Sequence, residues 1–364
     1  MSDIKELREK IDGIDRELQR LFEERMAVSK AVGEYKKERG LPVYDAKRER
    51  EVIAARVART ADKSLVPYVE SFFVDVMNLS KDAQKDDLRP KLAENDDVTY
   101  QGVEGAYGHE AAMAATKGKT VGVPAFEDVF LSVVNGKSRY GIIPVENSYA
   151  GSVTENYDLL GKYDVHICGE VILPIDHVLM GIKGAQAGGI RQIYSHPQGL
   201  AQCADFFAGH SEIEAVPYGN TAASAKLVKE RGDASVAAIA SRHAARVYGL
   251  DILMEDISNS RNSNTRFFLI GNEEGEAGNR ATAMFVVNDR PGALVDVLDV
   301  IRSASVNLTK IESRPMRGRN WEYMFFADME GDESAIRSIG GMVKNATVIY
   351  RLLGIYGVLQ KERV

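Results

Sequence analysis

Only two cysteines, Cys168 and Cys203, occur in the 364 residues. Two cannot build a disulfide framework or a thiolate metal site alone, so both read as core residues of a protein in a reducing cytoplasm. The six histidines are scattered and no HExxH-type pair occurs, so no metal is expected. Gly102-x-x-Gly105-x-x-Gly108 is not the dinucleotide fingerprint, which removes a nicotinamide site and leaves no expected cofactor. No apolar run approaches a membrane span, and the charged N-terminus lacks the apolar core of a signal peptide. A net charge of −7 offers no general attraction for nucleic acid. Neither nucleic acid nor membrane is an expected partner.

What is present divides into three textures, as a chain too long for one core requires. Residues 1–88 read as three helices. Ile4, Leu7, Ile11, Ile14, Leu18, Leu21, Val28, Val32 and Tyr35 fall in steps that suit the seam of a packed helix. Arg25 takes a slot the pattern reserves for an apolar knob, which is costly unless an anion meets it. Taken alone, Arg25 is a register-setting residue or a partner for a nearby Glu. Lys36, eleven residues on, returns to nearly the same face, and the two cations frame a gap for a small anion. The first helix spans roughly 3–39, about 55 Å, more than the next two helices can cover. Pairing with a second copy is therefore expected, as a homodimer or dimer of dimers. Arg8 lies about 25 Å from Arg25, so only an antiparallel copy could bring its own Arg8 alongside.

On the second helix Asp45, Arg48 and Glu49 share a face. On the third, Ser80 and Gln84 continue the stripe of Val69, Phe73 and Val76. An exposed salt-bridge cluster is the ordinary reading of the second-helix group. The inward set nevertheless holds cations, carboxylates and neutral hydrogen-bonders with no nucleophile, which suits a reaction driven by placement and charge complementarity. These residues resemble the intertwined dimeric helical chorismate mutases over residues 4–84, through Leu7 to Ile11, Glu24-Arg25, Lys36, Asp45-x-x-Arg48-Glu49 and Ser80-x-x-x-Gln84. The resemblance implies that Arg25, Arg48 and a second copy's Arg8 hold the carboxylates of chorismate. It gives Lys36 and Gln84 the ether oxygen, and Asp45, Glu49 and Ser80 the rest of the pocket.

Residues 97–275 alternate short β-rich runs with helical stretches, an α/β pattern whose ligands sit beyond strand ends. The segment Gln186 to Gly189 marks an expected crossing between two lobes, and Thr221 an expected helix N-cap. Four junctions, at Pro144 to Gly151, Tyr194 to Gln198, Gly219 to Ala223 and Ser263 to Phe267, put small polar residues where backbone N–H groups can meet an anion. One such junction is an ordinary cap or turn; four point to a ligand cleft. Together they resemble prephenate dehydratase. By that resemblance the fold is two α/β lobes, like periplasmic binding proteins, and Thr265 is the acid for the departing hydroxyl. Asn147, Ser195, His196, Gln198, Thr221, Arg266 and Phe267 then bind prephenate. The family's Asn-x-Thr-Arg-Phe reads Asn262-Ser-Asn264-Thr-Arg-Phe here, leaving Asn262 and Asn264 as alternatives for one role.

Residues 281–364 read strand, helix, strand, strand, helix, strand, the ferredoxin-like split unit. The segment resembles an ACT regulatory domain of the phenylalanine-sensing type. The resemblance implies that Gly292, Ala293, Leu294 and Val295, with Glu312, Ser313, Arg314 and Pro315, bind L-phenylalanine. Deleting the segment is expected to abolish inhibition by that ligand. The whole chain thus resembles the bifunctional chorismate mutase–prephenate dehydratases with an ACT domain. The competing readings are a small-ligand binding module or a dehydratase with a silent mutase fold kept for dimerisation, and prephenate dehydrogenase as the runner-up enzyme.

Overall fold

The computed structural model describes residues 4–39, 46–86, 96–259, 263–275, 278–316 and 322–361. They form two compact units divided after Arg89. The first holds α1 (Ile4–Glu38), α2 (Ala46–Arg59) and α3 (Val66–Asp86). Val76 and Met77 are its only buried apolar side chains among the described residues, whereas the row along α1 stays open, with Ile4 62% and Leu18 47% exposed. The described residues of this unit have an open apolar seam and few buried apolar side chains.

The second unit begins with β1 (Val98–Gln101), α4 (Tyr107–Ala115), β2 (Thr120–Val123), α5 (Phe126–Val134), β3 (Tyr140–Asn147), β4 (Gly151–Ser152), α6 (Thr154–Lys162) and β5 (His166–Pro174). The chain then crosses at Ile175–Asp176 into a second sheet. That sheet and its helices comprise β6 (His177–Gly181), β7 (Gln192–Ser195), α7 (Pro197–Ala201), α8 (Ala204–Ala208), β8 (Glu214–Pro217), α9 (Thr221–Arg231), β9 (Val236–Ser241), α10 (Arg242–Tyr248) and β10 (Asp251–Met254). β11 (Asn264–Gly271) returns to the first sheet, between β3 and β5 and antiparallel to both. The crossing expected at Gln186 lies elsewhere: Gln186 precedes a one-turn helix inside the second lobe, because the small residues there serve a local turn. Among the described residues no helix is long and apolar enough to cross a membrane.

The last layer contains β12 (Arg280–Val287), α11 (Ala293–Ser303), β13 (Asn307–Pro315), β14 (Tyr323–Glu330), α12 (Glu333–Ala346) and β15 (Thr347–Tyr356), its strands ordered β13-β14-β12-β15. Period-two alternation sorts β12. Ala281, Ala283 and Phe285 meet Val297, Ile301 and Ile339 of the two helices. Met284 packs instead with Phe326 and Leu353 against Tyr157, Leu160 and Phe268 of the first lobe. A Cβ on Gly354 would stand 2.1 Å from the Ile167 carbonyl oxygen, so β15 approaches the first lobe as closely as glycine permits. The final strand, β16 (Val358–Lys361), pairs parallel to β5 in the first sheet. First lobe and last layer therefore share one core.

Candidate functional site

In the helical unit Arg25 of α1 reaches α3, where its guanidinium donates to the Ser80 hydroxyl and to the Val76 carbonyl at 3.2 Å. Ser80 is 5% exposed and donates to Val76 O at 2.7 Å. Burial, and then the like charge of Arg56, hold the Arg25 pKa below its ordinary value, so the site favours anything anionic placed beside it. Arg56 was not marked by any motif; it sits over the Phe73 ring at 5.4 Å. Lys36 is half-buried in the last turn of α1, and Arg8 is exposed near its start. Asp45, and the side chains of Arg48, Glu49 and Gln84, lie outside the described residues.

In the second unit β3 and β11 set Asn147 directly opposite Thr265. The Asn147 Oδ1 accepts from the backbone N–H groups of Tyr149 (3.0 Å) and Ala150 (2.9 Å). That fixes the amide orientation and aims Nδ2 at Thr265 Oγ1, 2.9 Å away, with Ser263 Oγ at 3.3 Å. Thr265 is 8% exposed. With Asn147 as donor to its oxygen, the Thr265 hydroxyl keeps its own proton to donate. Asn264 starts β11 and accepts from the Ser148 N–H through its carbonyl, while Asn262 lies outside the described residues.

The second lobe contributes another group. A Cβ on Gly199 would stand 2.7 Å from Ser195 Oγ and 3.3 Å from Thr221 Cγ2, so glycine lets α7 close over both residues. Ser195 is fully buried and donates to Ile239 O at 2.7 Å. His196 caps α7 by accepting from the Gln198 N–H, and Gln198 is exposed. The cap of α9 is Asn220, not Thr221: Asn220 accepts from Ala223 N–H at 2.7 Å, and Thr221 is the first helical residue. A one-residue error arose because both types cap well.

Between the lobes a small pocket is lined by Tyr149, Ile175, Gln202, Ser258, Asn259 and Ser263. No sequence motif singled out Gln202. Its Oε1 lies 2.8 Å from Nε2 of buried His177, whose Nδ1 lies 3.2 Å from the Tyr107 hydroxyl. Gln202 and His177 were missed because crossings that join distant segments leave no local spacing signal.

Four assigned side chains are engaged within the protein. Strand alternation puts Arg266 on the face opposite Thr265, where it pairs with Asp328, Glu146 and Glu170. Phe267, 2% exposed, belongs to the core with Tyr100, Ile142 and Leu173, after a register shift between it and Arg266. Glu312 accepts from Ser152 at 2.5 Å. Arg314 makes a two-pronged pair with Asp158 at 2.7 and 3.0 Å. On β13 alternate residues face the first lobe, and sequence alone cannot tell which half of the motif does so. Gly292 precedes α11 with φ +81°, a conformation that favours glycine, with Ala293 buried, Leu294 packed on the helix-side core and Val295 56% exposed. Ser313 and Pro315 alternate with Glu312 and Arg314 on the exposed face.

Family models match in the same order: chorismate mutase type II over residues 7–85, prephenate dehydratase over 98–275 and the ACT domain over 281–335. A bifunctional chorismate mutase/prephenate dehydratase of Aquifex aeolicus is 31% identical, covering 98% of both chains. That of Neisseria gonorrhoeae is 36% identical over 89% of this chain and 88% of its own. The chain belongs to the bifunctional chorismate mutase/prephenate dehydratase family. It carries both enzyme domains followed by an ACT domain. Among solved structures, the prephenate dehydratase of Arthrobacter aurescens in complex with L-Phe is similar at TM-score 0.66 and 28% identity, over 72% of this chain and 92% of that one. A quorum quenching acylase, GqqA, matches with the same score and identity over 72% of this chain and 98% of its own.

Proposed function

We propose that this family member converts chorismate to prephenate in its helical unit and prephenate to phenylpyruvate in the second unit, with L-phenylalanine as feedback inhibitor. In the first step one C–O bond breaks as a C–C bond forms, and no proton or electron leaves the substrate. Arg25, depressed in pKa and held by Ser80, meets a substrate carboxylate. Arg48 and a second copy's Arg8 complete the carboxylate grip, and Lys36 and Gln84 stabilise the charge growing on the ether oxygen. The open seam of α1 supports an intertwined dimer, which is the only way one chain's Arg8 reaches another's Arg25.

The Asn147–Thr265 hydrogen bond is the observation that carries the second reaction. Prephenate loses its carboxylate as CO2 and its ring hydroxyl as water while the ring becomes aromatic. A threonine is a weak acid in water. Nearly dry, and with an N–H directed at its oxygen, Thr265 donates its proton to the departing hydroxyl as the C–O bond breaks, and regains one from solvent, the net reaction consuming one proton. His196, Gln198 and Thr221 form the facing wall, in the manner of a two-lobed binding protein, with Ser195 buried behind them. Asn264 is the described candidate for the asparagine of the family motif. The domains are read as 1–88, 97–275 and 281–364, the last with a ferredoxin-like fold.

The test is to supply chorismate alone and follow phenylpyruvate by absorbance. Phenylpyruvate should appear without added nicotinamide, and L-phenylalanine should suppress it more than L-tyrosine does. Prephenate that accumulates without further reaction would leave only the mutase and favour a binding role for the second unit.

A further inference from the structure

Arg266 follows Thr265, Glu146 precedes Asn147, and Arg266 and Glu146 are paired residues across β11 and β3. Their ion pair, at 3.2 Å, therefore lies directly behind the Asn147–Thr265 hydrogen bond, on the opposite face of the same sheet. The guanidinium continues to Asp328 of β14 at 2.5 Å, and Asp328 is held by Thr282 Oγ1 of β12 at 2.8 Å. Lys310 of β13 bonds the other Glu146 oxygen at 2.7 Å. The junction is almost dry: the side chains of Arg266, Glu170 and Asp328 are 17%, 1% and 6% exposed. Burial alone would lower the Arg266 pKa, but Asp328 and Glu170 carry it above its ordinary value. Burial likewise raises the Glu170 carboxyl against the pull of Arg280 and Arg266. Buried ion networks are weak sources of net stability, and breaking one arm strands a charge. A planar, forked cation joining two sheets is well suited to fixing their relative position.

We propose that Arg266 is a positioning residue for the dehydratase reaction. Clamped between Asp328 of the last layer and Glu146 of the catalytic sheet, it sets where Thr265 and Asn147 stand. Any ligand that favours a shifted arrangement of the last layer then reaches the catalytic pair through this clamp. The proposal rests on residues 98–275 acting as a prephenate dehydratase.

Asp328→Asn tests it in the full chain, because Asp328 lies behind the sheet and away from the cleft. The expected result is a kcat for prephenate lower by roughly tenfold with KM nearly unchanged, since small misplacements cost rate more than binding. Inhibition by L-phenylalanine should weaken in parallel. Arg266→Lys should retain part of both, and Arg266→Gln combined with Asp328→Asn should be no worse than Arg266→Gln alone. Wild-type kcat and inhibition in Asp328→Asn would overturn the clamp. So would an Arg266→Gln variant in which KM alone rises, which would make the guanidinium a substrate contact. A wild-type chain that makes no phenylpyruvate would count against the dehydratase reading instead. Amide exchange over residues 263–267 still judges the clamp in that case, and unchanged exchange in Asp328→Asn would refute it.

Discussion

At the scale of single residues, the proposed dehydratase chemistry turns on how the Thr265 hydroxyl is held. Asn147 spends its Oδ1 on two backbone N–H groups and its Nδ2 on Thr265. Asn147→Ala removes both the turn anchor and the donor to Thr265. We expect phenylpyruvate formation to fall on the order of 100-fold, as for loss of a donor at a charge-developing oxygen. Chorismate consumption should be unaffected, because Asn147 lies in the other unit. Equal losses in both reactions would show general damage rather than a local role.

At the scale of elements, α4 and α10 bring His109 and His243 from the two lobes into contact, with His243 Nε2 3.0 Å from His109 Nδ1. His109 Nδ1 also accepts from the Gly105 N–H at 3.1 Å, so protonation there opposes an existing donor. Burial lowers both pKa values from 6.5, with Glu104 opposing it at His109 and His109 and Arg246 reinforcing it at His243. Buried His177 shifts the same way, against the Gln202 hydrogen bond. A depressed folded-state pKa means the unfolded chain binds more protons. The stabilisation from neutral histidine is complete above pH 6.5 and is lost as pH falls through the folded-state values. The melting temperature of the second unit should therefore drop between pH 7 and pH 5.5, by less in His243→Asn. A flat profile in the wild-type chain would show that these imidazoles do not control lobe contact.

At the scale of the whole molecule, the proposed dimer would complete the helical unit, and the last layer completes the core of the first lobe. The helical unit leaves Leu18 and Leu21 each 47% exposed along the α1 seam, and the proposed dimer covers them. Leu18→Lys should shift the chain toward monomer in sedimentation and abolish mutase turnover, because the second copy's Arg8 is then lost. Dehydratase turnover of supplied prephenate should persist; an unchanged dimer would remove the intertwined pairing. In the second unit the last layer supplies Met284, Phe326, Leu353 and Tyr356 to the first lobe's core. Deleting residues 281–364 strips that core and β16 from the catalytic sheet, so point substitutions read regulation more cleanly than truncation.

The order of three segments, the α1 seam and the polar junctions followed from the sequence because periodicity and local turn chemistry are short-range properties. The meeting of Asn147 with Thr265, 118 residues apart, was foreseen only through the family resemblance. Tertiary structure alone decided which way each strand residue faces, because a one-residue choice of face leaves the alternating pattern unchanged. That choice makes Arg266, Glu312 and Arg314 ties between layers. It also closed β15 on the first lobe and returned β16 to its sheet. Contacts between segments far apart in the chain depend on packing of whole layers, which no local spacing encodes.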